Sequence, residues 1–246
     1  GSNVASQQYA AICGGYDNTA SGYNSAVGGG EFNVASGDDS FAAGGQSNTA
    51  AGDWSFAAGR RAKANSQGCF VWADSTAADM TCSVTNRVVM RGSGGFAFYT
   101  NSAMNVGAWL PSGSGSWASF SDSSVKRDFQ EVDEAAILRA VEELPITSWR
   151  YQDEDPAIRH VGPMAQDFYA AFALGDSDRH IPVVDADGVA LAAIKALKAE
   201  VDSLRASYEA VAARVAAPGP APFLSGFPLA VATLFAGAVL GAWVVR

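Results

Sequence analysis

From residue 1 to about residue 75, small apolar residues alternate with polar ones in short runs, and glycine or asparagine punctuates each run. Asn3, Asn18, Asn33 and Asn48 stand 15 residues apart, as do Ala5, Ala20, Ala35 and Ala50, and Gly14, Gly29, Gly44 and Gly59. The units read "NVASQQYAAICGG", "NTASGYNSAVGGG", "NVASGDDSFAAGG" and "NTAAGDWSFAAGR". A fifth unit, "KANSQGCFVWADS", is read as keeping the length with larger side chains. This period is too short for a helical hairpin, and Gly and Asn disfavour helix. The pattern predicts a stacked parallel β-roll whose small inward residues fill a narrow core, with Gly or Asn at positive φ on the corners. A single unit cannot bury its own face, so stability must come from stacking of units and of neighbouring chains.

The pattern changes further along. Residues 76–120 predict a β connector: "RVVMRGSGGFAFYT" alternates around a turn at Gly94 and Gly95, and "GAWLPSGSGSW" is a strand ending in a flexible tether. Residues 121–190 predict a small α+β unit. "VDEAAILRAVEELP" is a helix capped by Asp133, with Ile137, Leu138, Val141 and Leu144 on one stripe and Pro145 as its stop. "ITSWRYQ" is a strand. "HVGPMAQDFYAAFALG" is a helix starting at Pro163, burying Met164, Phe168 and Phe172 and ending at Gly175. "HIPVVDADGVA" reads as a strand and turn; its "DADG" lacks the ligands that would continue a calcium loop and predicts an Asx-type turn.

Over 191–217, Ile194, Leu197, Val201, Leu204, Tyr208, Val211 and Val215 step by 3 and 4 in alternation, the seam of a three-heptad coiled coil. After "APGPAP", residues 223–245 are uncharged, and at about 1.5 Å per residue such a helix would span a bilayer core. That segment predicts a single-pass transmembrane helix, with Gly237 and Gly241 at packing spacing and Trp243 near one interface. The fold class is therefore mixed: β-roll, small α+β unit, coiled coil and membrane helix, with the seam alone leaving the number of strands open and the homotrimer implied only by the resemblance given below.

The net charge of −9 excludes a basic nucleic-acid surface, and residues 1–120 hold five Lys/Arg against seven Asp/Glu. With no initiator Met and no signal peptide, the chain reads as a fragment. No metal or cofactor is expected, because Cys13, Cys69 and Cys82 lack ligand spacing and His160 and His180 lie far from them. The cysteines read as small buried thiols, with a Cys69–Cys82 staple as the alternative in an exported protein.

Two resemblances bear on function. The first 75 residues resemble the head repeats of trimeric autotransporter adhesins, which implies a left-handed parallel β-roll trimerised side by side and a head facing outside the cell. From "SDSSVKRDFQEVDEAAILRAVEELPITSWRY" through "RHVGPMAQDF" to "DADGVALAAIKAL", the chain resembles the self-cleaving intramolecular chaperones of phage endosialidases and tail fibres, a family that includes the myelin regulatory factors. Their signature of Ser-Asp, three residues, Lys, a GPxAQ[DE] box and a terminal coil falls here on Ser121, Asp122, Lys126 and Gly162–Asp167.

That resemblance implies a Ser–Lys dyad that cuts its own chain once, between Phe120 and Ser121. Ser121 would be the nucleophile and Lys126 the general base; Asp122, Gly162, Pro163, Gln166 and Asp167 would support them. A serine hydroxyl needs an adjacent base, and a lysine is a base only when neutral, which burial at a chain–chain interface promotes. The chain departs from common members in the "SS" that follows Ser-Asp. The partners implied are self and membrane, with no trans substrate and a head ligand unspecified. Two other readings stand beside this one: a non-cleaving trimerisation clamp of an adhesin, and a regulator released from a membrane.

Overall fold

The computed structural model describes residues 1–216. It divides into two compact units, Gly1–Phe129 and a second beginning at Gln130, each described by itself.

The first unit opens with a parallel β-solenoid of about six turns. One sheet stacks β1 (Val4–Ala5), β3 (Thr19–Ala20), β5 (Val34–Ala35), β7 (Thr49–Ala50), β9 (Ala62–Ala64) and β11 (Met80–Cys82). The other stacks β2 (Ala11–Ile12), β4 (Ala26–Val27), β6 (Phe41–Gln46), β8 (Phe56–Arg60), β10 (Phe70–Ala73) and β12 (Val88–Arg91). Ala20, Ala35 and Ala50 point inward from one sheet, and Val27, Ala42 and Ala57 from the other, all with no exposure. Residues this small let the two sheets close on each other without a cavity, which is why the repeat reserves these positions for Ala and Val.

Asn18, Asn33 and Asn48 are equally buried and form a ladder. The amide of Asn33 donates to Gly29 O at 2.8 Å in its own coil and to Gly45 O at 3.0 Å in the next, while its Oδ1 accepts from both nitrogens of Asn48. A buried side chain with four bonds leaves neither itself nor the turn carbonyls unsatisfied. Gly30 shows why no other residue fits beside the ladder. Its φ is +86°, and a Cβ there would lie 2.1 Å from Gly45 O.

The corners depart from expectation. Besides Gly and Asn24, they place Tyr9, Phe32 and Trp54 at positive φ, between +52° and +62°. Two of these rings meet a ring of the adjoining turn edge-on, Tyr9 with Tyr23 and Phe32 with Tyr16. The fourth unit is one residue shorter than read, so the fifth starts at Ala62: Phe41 pairs with Phe56, but Gly44 pairs with Ala58, and a bulge after Ala42 absorbs the difference. The rungs continue to Arg91, and the last step lengthens to 18 residues, Phe70 lying beside Val88.

Cys69 and Cys82 form a disulfide across this lengthened turn, with Cα atoms 6.2 Å apart, and Cys13 is free and exposed. The buried-thiol reading is thereby corrected: adjoining strands bring two distant cysteines to bonding range. Breaking the bond, by reductant or by Cys69→Ser with Cys82→Ser, is expected to destabilise the first unit by about 2–4 kcal/mol. Denaturant midpoints with and without reductant measure this, and coincident curves would refute it. Nearby, Asp74 accepts from Ser93 N at 2.7 Å, Arg91 Nε at 2.9 Å and Thr76 N at 3.1 Å. The Ser93 and Arg91 bonds hold its carboxyl well below the usual carboxylate range.

The solenoid is followed by a three-stranded antiparallel sheet, β13 (Gly95–Tyr99), β14 (Gly107–Pro111) and β15 (Ala118–Ser119). The first two were legible as strands; the third lies beyond the Gly/Ser tether, where no strand was expected.

In the second unit, α1 (Glu134–Glu143) is capped by Asp133, whose carboxylate accepts from Ala136 N at 2.9 Å. Its stripe of Ile137, Leu138, Val141 and Leu144 is half-buried. A two-stranded antiparallel pair, β16 (Thr147–Trp149) and β17 (His160–Gly162), leads into α2 (Ala165–Phe172), which starts two residues after Pro163 and buries Phe168. The left-handed residue at its end is Ala173, with Gly175 also at positive φ. The strand expected at "HIPVVDADGVA" is instead the beginning of α3 (Val183–Ala216). Pro182 O accepts from the amides of Asp185 and Ala186 and starts the helix, and the apolar spacing beyond Gly188 carries it on. Val189, Ala193 and Ala196 form the buried face of α3, and Lys195 bonds Glu134 of α1.

The segment read as a transmembrane helix, 223–245, lies outside the described residues. Among those described, no helix is long and apolar enough to cross a membrane. The single-pass placement with an outward head is accordingly corrected.

Candidate functional site

The site lies where the three-stranded sheet runs out. Trp109 of β14 pairs with Ala118 and Ala108 with Ser119, so the residues before Phe120 are held as an edge strand. Phe120 continues that line, its amide 3.5 Å from Gly107 O. Its ring meets Tyr99 with centroids 5.7 Å apart. A cavity of about 350 Å³ opens beside it, lined by Tyr99, Trp109, Ala118, Ser119 and Phe120.

Beyond Phe120 the backbone turns sharply. Asp122 accepts from Ser124 N at 2.8 Å and caps a 3-10 turn over Ser123–Val125, and Lys126 N closes the turn onto Ser123 O. Short hydroxyl and carboxylate side chains favour such caps because they satisfy the first free amides. The amide and hydroxyl of Ser124 hold the Asp122 carboxyl below its ordinary range. The turn reverses the chain between residues 121 and 126, and Lys126 Nζ donates to Ser121 Oγ at 2.6 Å. Both side chains are exposed in the single chain, as is Arg127.

The remaining residues singled out from sequence lie in the second unit. Gly162 ends β17, Pro163 and Met164 lead into α2, and Gln166 and Asp167 stand in its first turn, where a carboxylate complements the helix dipole. His160 Nε2 lies 2.8 Å from Glu154 Oε2 and its ring packs on Trp149, a structural placement. The His160 bond holds Glu154 below the usual carboxylate range. The coil residues Ile194, Leu197, Leu204, Tyr208, Val211 and Val215 all lie on α3 and are at least half exposed, while Val201 is partly buried.

Sequence reading missed Tyr99, Trp109 and the β15 pairing. The alternation of Trp117, Ala118, Ser119 and Phe120 was the available signal, too short to separate from the Gly/Ser run before it.

A hydroxyl and an amine paired across a short turn, directly after a strand that presents a peptide bond, are parts that self-processing domains use. Residues 121–174 match the family model described as Chaperone of endosialidase, so this segment is an endosialidase-type chaperone domain. The family is one of self-cleaving chaperone domains that support assembly of their own chains. No curated protein and no solved structure matches the chain.

Proposed function

We propose that this chain is a homotrimeric fibre or surface protein whose endosialidase-type domain promotes assembly and then cuts the Phe120–Ser121 bond. The observation that carries the reading is the 2.6 Å contact between Lys126 Nζ and Ser121 Oγ, inside the segment that matches the family.

In this reading a neutral Lys126 takes the hydroxyl proton while Ser121 Oγ attacks the carbonyl carbon of Phe120, one peptide bond upstream. The new C–O bond closes a five-membered ring. Collapse of that ring breaks the C–N bond, and Lys126 returns the proton to the departing Ser121 nitrogen. The resulting ester joins Phe120 to Ser121 Oγ. Water then hydrolyses it to a Phe120 carboxylate and a free Ser121 amine and hydroxyl. Nucleophile and scissile bond share one residue, so proximity comes without a substrate pocket.

A lysine loses its proton readily only where water is excluded. The dyad is exposed in one chain, and contact with neighbouring chains supplies the missing burial, which ties the cut to assembly. The apolar stripe on α3 joins the three chains as a coiled coil in the same assembly.

Intact mass and a denaturing gel test this. Wild type is expected to yield residues 1–120 and 121–246, and Ser121→Ala to stay whole. Wild-type chains that remain whole in assembled trimers would leave a non-cleaving clamp.

A further inference from the structure

Strand register puts Tyr99 of β13 directly across from Gly107 of β14. Pairing of Trp109 with Ala118 and Ala108 with Ser119 then brings Phe120 to the other side of the same glycine. Tyr99, Gly107 and Phe120 thus form one row across the sheet, with their side chains on one face. Nothing stands on the middle strand between the rings, and they meet over Gly107 with centroids 5.7 Å apart. The glycine is required: a Cβ there would lie 1.9 Å from Phe98 O. Trp109 borders the same face one pair further on, and the cavity of about 350 Å³ leaves space beside the Phe120 ring.

We propose that Tyr99 is a positioning residue for the cut, and that the Tyr99–Gly107 row selects an aromatic side chain at residue 120. The inference rests on the cleavage reading above. A two-residue edge strand is a weak hold, and its end is where the reacting carbonyl must stay still. Packing the Phe120 ring against Tyr99, tilted at 39°, restrains the backbone at residue 120, so the carbonyl carbon remains within reach of Ser121 Oγ. Tyr99 acts through Phe120 and takes no part in proton transfer. The space next to the ring admits a larger aromatic and gives a small side chain nothing to rest on.

The test is a double-mutant cycle on the rate of self-cleavage in the full chain, followed by intact mass. Tyr99→Ala and Phe120→Ala are each expected to slow the cut roughly tenfold, the factor matching the upper range of an aromatic pair. The double variant should be no slower than Phe120→Ala alone. Tyr99→Phe should restore the wild-type rate, and Phe120→Trp should stay within about threefold of it. Melting temperatures of the same variants in a Ser121→Ala background separate folding from rate.

A rate loss that simply multiplies in the double variant would show that Tyr99 works through the fold, overturning the proposal while the dyad stands. Equal rates for Phe120→Ala and wild type would overturn it too. A wild-type chain that never cuts would remove the cleavage reading and this inference with it.

Discussion

Lys126→Met is expected to leave the chain in one piece, with self-cleavage slowed about 10²–10⁴-fold, the usual worth of a positioned general base. Methionine keeps the unbranched apolar stem of lysine and omits the amine, so the turn over Ser123–Val125, which is held by Asp122 and backbone bonds, should survive. Lys126→Arg is the sharper variant. An arginine can still donate to Ser121 Oγ, replacing the contact now made at 2.6 Å, but it stays charged and cannot accept the hydroxyl proton. If Lys126 only holds the serine in place, the arginine chain should cut; if it is the base, the chain should stay whole. Time courses of intact mass on assembled protein decide between these, and efficient cutting by the arginine variant would remove Lys126 from the chemistry.

The second large effect concerns the solenoid. Asn33→Asp keeps the volume of the side chain and changes one NH₂ into an oxygen. That oxygen would face Gly29 O and Gly45 O, both of which now accept from Asn33, in a place with no exposure. Gly29 O loses its side-chain donor, Gly45 O keeps only the Glu31 amide, and a carboxyl is buried beside them, a cost of about 3–5 kcal/mol at neutral pH. Burial raises the folded-state pKa of the new carboxyl above its unfolded value of about 4. The protonated form can donate one bond, so the loss should be smallest below that unfolded value and grow as pH rises through the folded one. Asn3→Asp is the control. Asn3 is exposed at the first turn, and its substitution should cost no more than about 0.5 kcal/mol. Denaturant midpoints at acid and neutral pH measure both; equal losses at positions 3 and 33 would show that the ladder contributes little.

The ladder was legible from sequence because it is periodic. Asparagine, alanine and glycine at fixed intervals leave few structures other than stacked turns, and a narrow core of small inward residues could be expected before any strand was seen. The capped helix at Asp133 was legible for a similar reason, since cap, stripe and proline stop agree locally. The start of α3 was not. Ile181 to Val184 are β-branched or proline, and Asp-Ala-Asp-Gly looks like a turn, yet the segment is helical from Val183, with Val189, Ala193 and Ala196 as its buried face. Tertiary packing outweighed local preference there. The disulfide was legible only as the alternative: the two cysteines stand thirteen positions apart, and they meet because Cys69 precedes β10 of one sheet and Cys82 ends β11 of the other, in the core between them. Of the candidate site, the serine and lysine were readable as letters at a spacing. The turn that joins them depends on one carboxylate and one amide, and the aromatic row before Ser121 depends on register between strands that share no motif.

The uniform rung has a consequence for length. Each 15-residue step from Asn3 to Asn48 bonds only to the steps above and below it, through the same atoms each time. A whole step can therefore be duplicated or removed with every junction re-formed, whereas a part-step would break the Asn ladder, whose bonds join residues 15 apart. The rod is a ruler graduated at about 4.8 Å, and its reach can be adjusted in whole graduations without redesigning the Phe120–Lys126 segment.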